Sequence, residues 1–475
     1  MPTGRAGPDP VLEPLAAALT ATALEFLRAN HQPGASIGIV RDGRLAWTLG
    51  LGHADLATRR IPDERTLYRV ASITKTFTAS AILQLRDDGS LRLDDPVVRF
   101  IPEITAVRNP FGPIEDITIR RLLMHTSGLQ GEEPSDDPDV VGEHLAEEIG
   151  GLLDRVVVAI PPETASKYCN LGYILLGLVV ERVSGRSYVG YVRRSLTHPL
   201  GMDATTFDPF HRLAGRVATG YDAGMFSDDL KPARRIPTDR WLADGGLWSS
   251  VEDLATWILQ QFRREDGHVR GAGQVLDGRT LREMHRPSYL TDSTWKEAQG
   301  LGWYAVRRDA CVLTCHSGAL NGFRTNVSFS LADELGAVVL LNGMAKASDL
   351  SYALLEQILP AQRTARAAAE ALPTPGPTPP AYRELLGAYR DVEFGEDIRI
   401  EWRRGALVMV AADDPEGPHR LEPTADPLVF TIRGGRPGGE PLRFLRSPGG
   451  TVDRCNMAGY PMVRVVLARE PGPGA

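Results

Sequence analysis

Ser72-Ile73-Thr74-Lys75 places a hydroxyl and an amine three positions apart. Residues at that spacing share one face of a helix, so the lysine amine reaches the serine oxygen. A serine hydroxyl is a poor nucleophile until a neighbouring base takes its proton. Lysine is that base only when neutral, a form favoured by desolvation and by the positive end of a helix dipole. Only five of the 53 cations are lysines (75, 167, 231, 296 and 346), so a lysine at this spacing is informative. Two further clusters offer matching chemistry. Tyr168-Cys169-Asn170 follows a Pro-rich loop and leads into the apolar stretch Tyr173–Val183, which holds a hydroxyl and an amide at a helix entrance. His316-Ser317-Gly318-Ala319 ends one strand pattern ahead of Phe323–Ser330, and its glycine lets another backbone approach closely. Taken singly, Tyr168 reads as a capping core residue and His316 as a satisfied strand histidine. Three elements in the order S-x-x-K, Y-x-N, H-x-G are much harder to dismiss as structural.

A second serine competes. Gly34-Ala35-Ser36-Ile37-Gly38 matches the G-x-S-x-G elbow of α/β-hydrolases, which needs a strand before the serine and a helix straight after it. Here Pro33 precedes the motif and a β-hairpin pattern follows, so Ser36 falls inside a strand and reads as structural. Cys311-x3-Cys315 beside His316 is not zinc spacing and no second ligand pair follows, so no metal and no cofactor are expected. Four cysteines, Cys169, Cys311, Cys315 and Cys455, form no disulfide framework.

The elements that must position these groups are legible. Ser36–Val40 and Leu45–Leu49 read as a hairpin around Arg41-Asp42-Gly43. Helical pattern dominates from about 72 to 290, with Ser72–Asp88 stopped at Gly89, Tyr173–Val183 stopped at Gly185, and Ser249-x-x-Glu252 as a capping box. Strands return at Trp303–Arg307, Val312–His316, Thr325–Ser330 and Ala337–Leu341, followed by a helical Ser351–Leu372. Strands at both ends with helices between predict one α+β domain over 1–370. Pro373–Pro380 lies in a stiff linker, 371–380, and 381–475 reads as a small all-β domain. The 475 residues are 43% apolar and 24% charged, a soluble globular balance that excludes disordered, fibrous and membrane-spanning classes. A net charge of −7 disfavours a nucleic-acid surface. Leu15–Leu27 imitates a signal segment, but Asp9 and Glu13 stand where a signal would be basic, so an amphipathic helix and a cytoplasmic protein are expected.

Together these motifs resemble the serine β-lactamase and penicillin-binding-protein superfamily, in its class C, D-aminopeptidase, esterase and thioesterase branch. Many members carry S-D-N and K-T-G where this chain has Tyr-x-Asn and His-x-Gly. Leu122-Leu-Met-His-Thr-Ser-Gly-Leu129, Pro199-Leu-Gly-Met202 and Gly245-Gly-Leu-Trp-Ser249 also look like family landmarks, over residues 10–370. The resemblance implies a transpeptidase-like domain of antiparallel sheet flanked by helices, then a lipocalin-like barrel. It implies Ser72 as acylated nucleophile, Lys75 as its base and Tyr168 as proton shuttle. Asn170 would hold a substrate amide, His316 and Gly318 would line the site, and the N–H groups of Ser72 and Ala319 would form the oxyanion hole. His316 stands where β-lactamases keep a lysine, which weakens attraction for a carboxylate and argues against β-lactam hydrolysis. Relatives with this histidine include D-aminopeptidases, peptidases of mixed specificity and penicillin-binding-protein-type thioesterases that cyclise nonribosomal peptides, so the expected substrate is a peptide with a D-residue at the reacting end or a small acyl group, including a carrier-bound thioester. A carboxylesterase and a catalytically inactive binding protein are the alternatives. Eight acidic residues between Glu132 and Glu148, with no cation among them, would favour a free amine if they line the mouth. Arg454, in a turn-rich stretch, is a candidate for a substrate carboxylate.

Overall fold

The computed structural model describes residues 3–6, 9–132, 149, 151–223, 229–234, 242–263, 274–309, 311–370, 377–403, 405–411 and 418–465. Seven of the eight acidic residues singled out above lie in 133–148, outside the described residues, as does 371–376 of the expected linker. The chain forms two compact units, Met1–Arg363 and Thr364–Ala475.

The first unit is built on a nine-stranded antiparallel sheet. Its strands are β1 (Thr3–Ala6), β2 (Gly34–Arg41), β3 (Arg44–Gly52), β4 (Tyr289–Leu290), β5 (Glu297–Gln299), β6 (Tyr304–Arg307), β7 (Val312–Leu320), β8 (Phe323–Ser330) and β9 (Leu335–Leu341). The spatial order is β1-β3-β2-β9-β8-β7-β6-β5-β4, so distant segments close one sheet as the α+β reading expects. Asp42 and Gly43 both take positive φ, 48° and 72°, the geometry that closes a two-residue hairpin without splaying its strands. Every residue of β2 and β9 is buried, because the sheet is covered there on both faces. One cover is the helix Val251–Gln261, which rests on the sheet through two glycines. A Cβ at Gly38 would lie 2.4 Å from Val251 Cγ1, and one at Gly336 would lie 2.8 Å from Ile258 Cγ2.

Five helices matter for the site: α1 (Ala16–Ala29), α2 (Thr74–Asp87), α3 (Asn170–Ser184), α4 (Val251–Gln261) and α5 (Ala347–Glu370). The leader-like segment is thus a helix that buries Leu19, Ala23 and Leu27. Helix α2 is buried on every side from Thr74 to Leu85. Its hydroxyls are satisfied internally, Thr76 Oγ1 accepting from Trp257 Nε1 at 3.0 Å while Phe77 stacks on the Trp257 ring at 3.9 Å. That burial is what takes Lys75 out of water. The expected capping box falls one residue later than its sequence pattern suggests: Ser250, not Ser249, accepts from Asp253 N–H and opens α4. Ser249 instead pairs as strand with Tyr68.

The second unit contains a closed, eight-stranded antiparallel barrel: β10 (Gly387–Asp391), β11 (Asp397–Arg403), β12 (Ala406–Ala411), β13 (His419–Pro423), β14 (Val429–Arg433), β15 (Pro441–Arg446), β16 (Val452–Met457) and β17 (Tyr460–Val465). Closure removes exposed strand edges. Its interior is filled by side chains, among them Tyr389, Ile400, Phe430, Ile432 and Phe444. Eight strands leave an interior of about that size.

Candidate active site

The site begins at a strained turn. Ala71 is buried and holds φ at 48°, a left-handed conformation that a non-glycine residue adopts only when its surroundings impose it. The surroundings are visible. Val70 N–H donates to Leu247 O at 3.0 Å, and Leu247 N–H donates to Thr74 Oγ1 at 3.1 Å. On the other side, Val70 O accepts from Thr325 Oγ1 of β8 at 3.0 Å. Ala71–Ile73 is a 3-10 turn, and the α-helix proper starts at Thr74, two residues later than the sequence pattern suggests. Ser72 therefore sits half-buried at the N-terminus of α2.

Lys75, one turn on, is fully buried. Its Nζ donates to Ser72 Oγ at 3.1 Å and to the backbone carbonyl of Asp244 at 2.7 Å, with Asp244 Oδ2 at 3.7 Å. The rings of Tyr168 and Tyr173 lie 5.1 and 5.6 Å from the same nitrogen. Tyr168 is 37% exposed, so it spans the buried amine and solvent. Sequence reasoning missed Asp244. It adjoins the landmark Gly245–Ser249, but a separation of 169 positions from Lys75 leaves no local signal.

Asn170 is the first residue of α3. Its Nδ2 donates to Glu132 Oε1 at 2.6 Å, and a carboxylate only accepts, so the amide orientation is set by chemistry. Oδ1 is left buried without a partner among the described residues. Of the amide expected to hold a substrate amide, the acceptor is thus the atom without a partner.

His316 lies within β7, which runs on to Leu320 rather than ending at the histidine. The ring is buried, and Nδ1 stands 2.8 Å from Ser317 O. A carbonyl only accepts, so Nδ1 carries the proton and Nε2 keeps a lone pair, buried and without a partner among the described residues. Burial pushes the ring down to about 3. His316 is neutral and cannot replace the ammonium that a lysine would supply. Gly318 is required by contact, since a Cβ there would lie 2.0 Å from Val70 O. Ala319 is exposed. Strand β6 covers β7 only over Val312–Cys315, so the segment carrying Gly318 and Ala319 continues past it alongside the Ser72 turn.

The competing serine is buried in β2, its Oγ donating to Asp63 O at 2.7 Å and lying 3.1 Å from Tyr68 OH. Cys315 is buried with Sγ 3.2 Å from Tyr352 OH, and burial pushes its thiol up to about 12. Among the described residues no group of three or more His, Cys, Asp or Glu could hold a metal ion, and no helix is long and apolar enough to cross a membrane. Arg454 belongs to the second unit, half-exposed on β16, with Nε 3.4 Å from Asp453 Oδ1.

Known proteins are similar to this chain. The chain is 30% identical over 321 residues to Protein flp of Staphylococcus aureus, covering 66% of this chain and 61% of that protein. It is 26% identical over 401 residues to a D-aminopeptidase of Brucella anthropi, covering 80% of this chain and 68% of the relative. The solved structure of SurE with D-Leu superposes with a TM-score of 0.56 at 26% identity, over 94% of this chain and 99% of the other. The profile of the family described as Beta-lactamase matches residues 19–360, which is most of the first unit and all of the residues around Ser72 and Lys75. The chain is a member of that family of serine hydrolases.

Proposed function

We propose that this protein is a serine acyl-enzyme catalyst acting on peptides with a D-residue at the reacting end, either hydrolysing or cyclising them. The observation that carries the reading is the buried Lys75 Nζ 3.1 Å from Ser72 Oγ. As the seryl oxygen attacks the carbonyl carbon, its proton passes to the Lys75 amine. Tyr168, packed on that amine, relays the proton to the leaving amine, alcohol or thiol. The N–H groups of Ser72 and Ala319 stabilise the oxyanion, a contribution of roughly 3–4 kcal/mol per donor in serine hydrolases. Water or the peptide's own amine then attacks the acyl-enzyme, and the serine regains its proton.

The neutral His316 supports a substrate held without a strong anion site, which disfavours β-lactams. The D-configuration is supported by the similarity to a D-aminopeptidase and to SurE, whose solved structure holds D-Leu. The test is a matched panel of peptidyl thioesters, D-aminoacyl amides and p-nitrophenyl esters, with linear and cyclic products separated by mass. Turnover of the D-configured peptides supports the proposal. Turnover of simple esters alone identifies a carboxylesterase, and no acylation of Ser72 by a fluorophosphonate identifies a binding protein.

A further inference from the structure

His125 takes no part in the steps above, yet it contacts Tyr168 and both of its chain neighbours. Its backbone carbonyl accepts from Lys167 N–H at 2.8 Å, and its ring Nδ1 accepts from Cys169 N–H at 3.0 Å. Those two bonds fall on either side of Tyr168 in the chain. The His125 ring also lies on the Tyr168 ring, with centroids 4.3 Å apart and planes 31° from parallel. Its far neighbour is Tyr173, at 5.1 Å.

We propose that His125 is a positioning residue for Tyr168, fixing the tyrosine's backbone on both sides and the plane of its ring so that the hydroxyl serves the Ser72–Lys75 pair. The inference rests on Tyr168 carrying protons as described above.

The details of His125 fit this role better than plain packing. It is fully buried and holds φ at 57°, so the loop imposes a conformation that L-residues resist. The loop is pinned to the segment before Tyr168: Thr126 O accepts from Glu163 N–H at 2.9 Å, and Gly128 O accepts from Ala159 N–H at 2.8 Å. An N–H donor facing Nδ1 requires a lone pair there, so the ring is neutral with its proton on Nε2. Burial holds it well below the usual imidazole range, in the same sense. A protonated ring would set N–H against N–H and release Cys169. A tyrosine misplaced by about 1 Å loses up to about 10²-fold in rate.

The experiment measures kcat and KM with an activated acyl ester for His125→Asn and His125→Phe, each in the native and the Tyr168→Phe backgrounds. Asparagine keeps an acceptor near the Nδ1 position and tolerates left-handed backbone. Phenylalanine keeps a ring and removes the acceptor. The expected result is a kcat at least about tenfold lower for His125→Phe with KM nearly unchanged, and partial recovery in His125→Asn. In the Tyr168→Phe background neither substitution should cost more than about threefold further, since coupled residues are not additive. An equal loss in both backgrounds, or a rise in KM alone, overturns the positioning role while leaving Tyr168 in place. A Tyr168→Phe enzyme at full rate refutes the proton-carrying role itself, which is a different failure. Nitrogen NMR of histidine-labelled native protein gives a check that needs no variant. His125 should stay neutral with its proton on Nε2 between about pH 5 and 8, and a proton on Nδ1 overturns the proposal.

Discussion

Gly318 stands so close to Val70 that a side chain at 318 would begin 2.0 Å from the Val70 carbonyl oxygen. Thr325 donates to that same oxygen. Strands β7 and β8 therefore grip the residue two before Ser72, and this contact sets the spacing between Ser72 and the Ala319 backbone. Gly318→Ala forces the strand or the turn to move. Overpacking of this kind costs about 1–3 kcal/mol, to be read from denaturant unfolding. Acylation by an activated ester should fall by a larger factor than the lost folded fraction explains. A variant with native stability and native acylation would show that the contact does not set the geometry.

Lys75→Ala and Tyr168→Phe should each slow acylation by about 10²–10⁴, the usual worth of positioned proton transfer. Single-turnover kinetics with mass detection of the acyl-enzyme isolates that step. If Tyr168→Phe acylates normally, Lys75 alone carries the proton. Labelling that survives Ser72→Ala but is lost in Ser36→Ala would move the nucleophile, against the burial of Ser36 in β2.

Local spacing made Ser72 and Lys75 legible, because a helix puts residues three apart on one face and no other part of the fold is needed. The hairpin around Asp42-Gly43 and the helix stop at Gly185, which takes φ 67°, were legible for the same reason. Long-range partners were not. Asp244, His125 and Glu132 each act on a site residue through a contact that only the folded chain creates. The capping serine was misplaced because Ser249 and Ser250 are adjacent and equally suited to cap; pairing of Tyr68 with Ser249 decides between them. The end of β7 was placed too early because Ser317 and Gly318 look like a break. They continue the strand because Gly318 packs against Val70.

His285 offers a test of burial by pH. It is fully buried, with Nε2 3.0 Å from Gln261 Oε1, and desolvation pushes it down to about 3. In the unfolded chain it titrates near 6.5, so between about 6.5 and about 3 the unfolded state binds a proton that the folded state does not. Stability contributed by the neutral ring is complete above pH 6.5 and falls as the pH drops through that window. The slope is at most about 1.4 kcal/mol per pH unit for one such group. Denaturant unfolding from pH 6.5 to 4.5 should show a slope smaller by about that amount in His285→Gln than in the native protein. Equal slopes would mean that the ring is protonated in the fold or that it is reached by water.

The Asn170 amide offers a test of what the site presents to its substrate. Glu132 accepts one Nδ2 hydrogen, and the buried Oδ1 has no partner among the described residues; under the proposed function that acceptor selects an N–H donor on the substrate. A peptide has such an N–H beside its reacting carbonyl; a simple aryl ester does not. Glu132→Ala removes the group that fixes the amide, which is then free to turn its donor side inward. The loss of one well-made hydrogen bond is worth about 0.5–1.5 kcal/mol. KM for a peptide substrate should therefore rise roughly 2- to 10-fold, with kcat nearly unchanged because Ser72 and Lys75 keep their contact. KM for a matched aryl ester should not move. A rise of equal size for both substrates would place the effect of Glu132 on the cleft as a whole, and a fall for the peptide would show that the donor side of Asn170 is the one that binds.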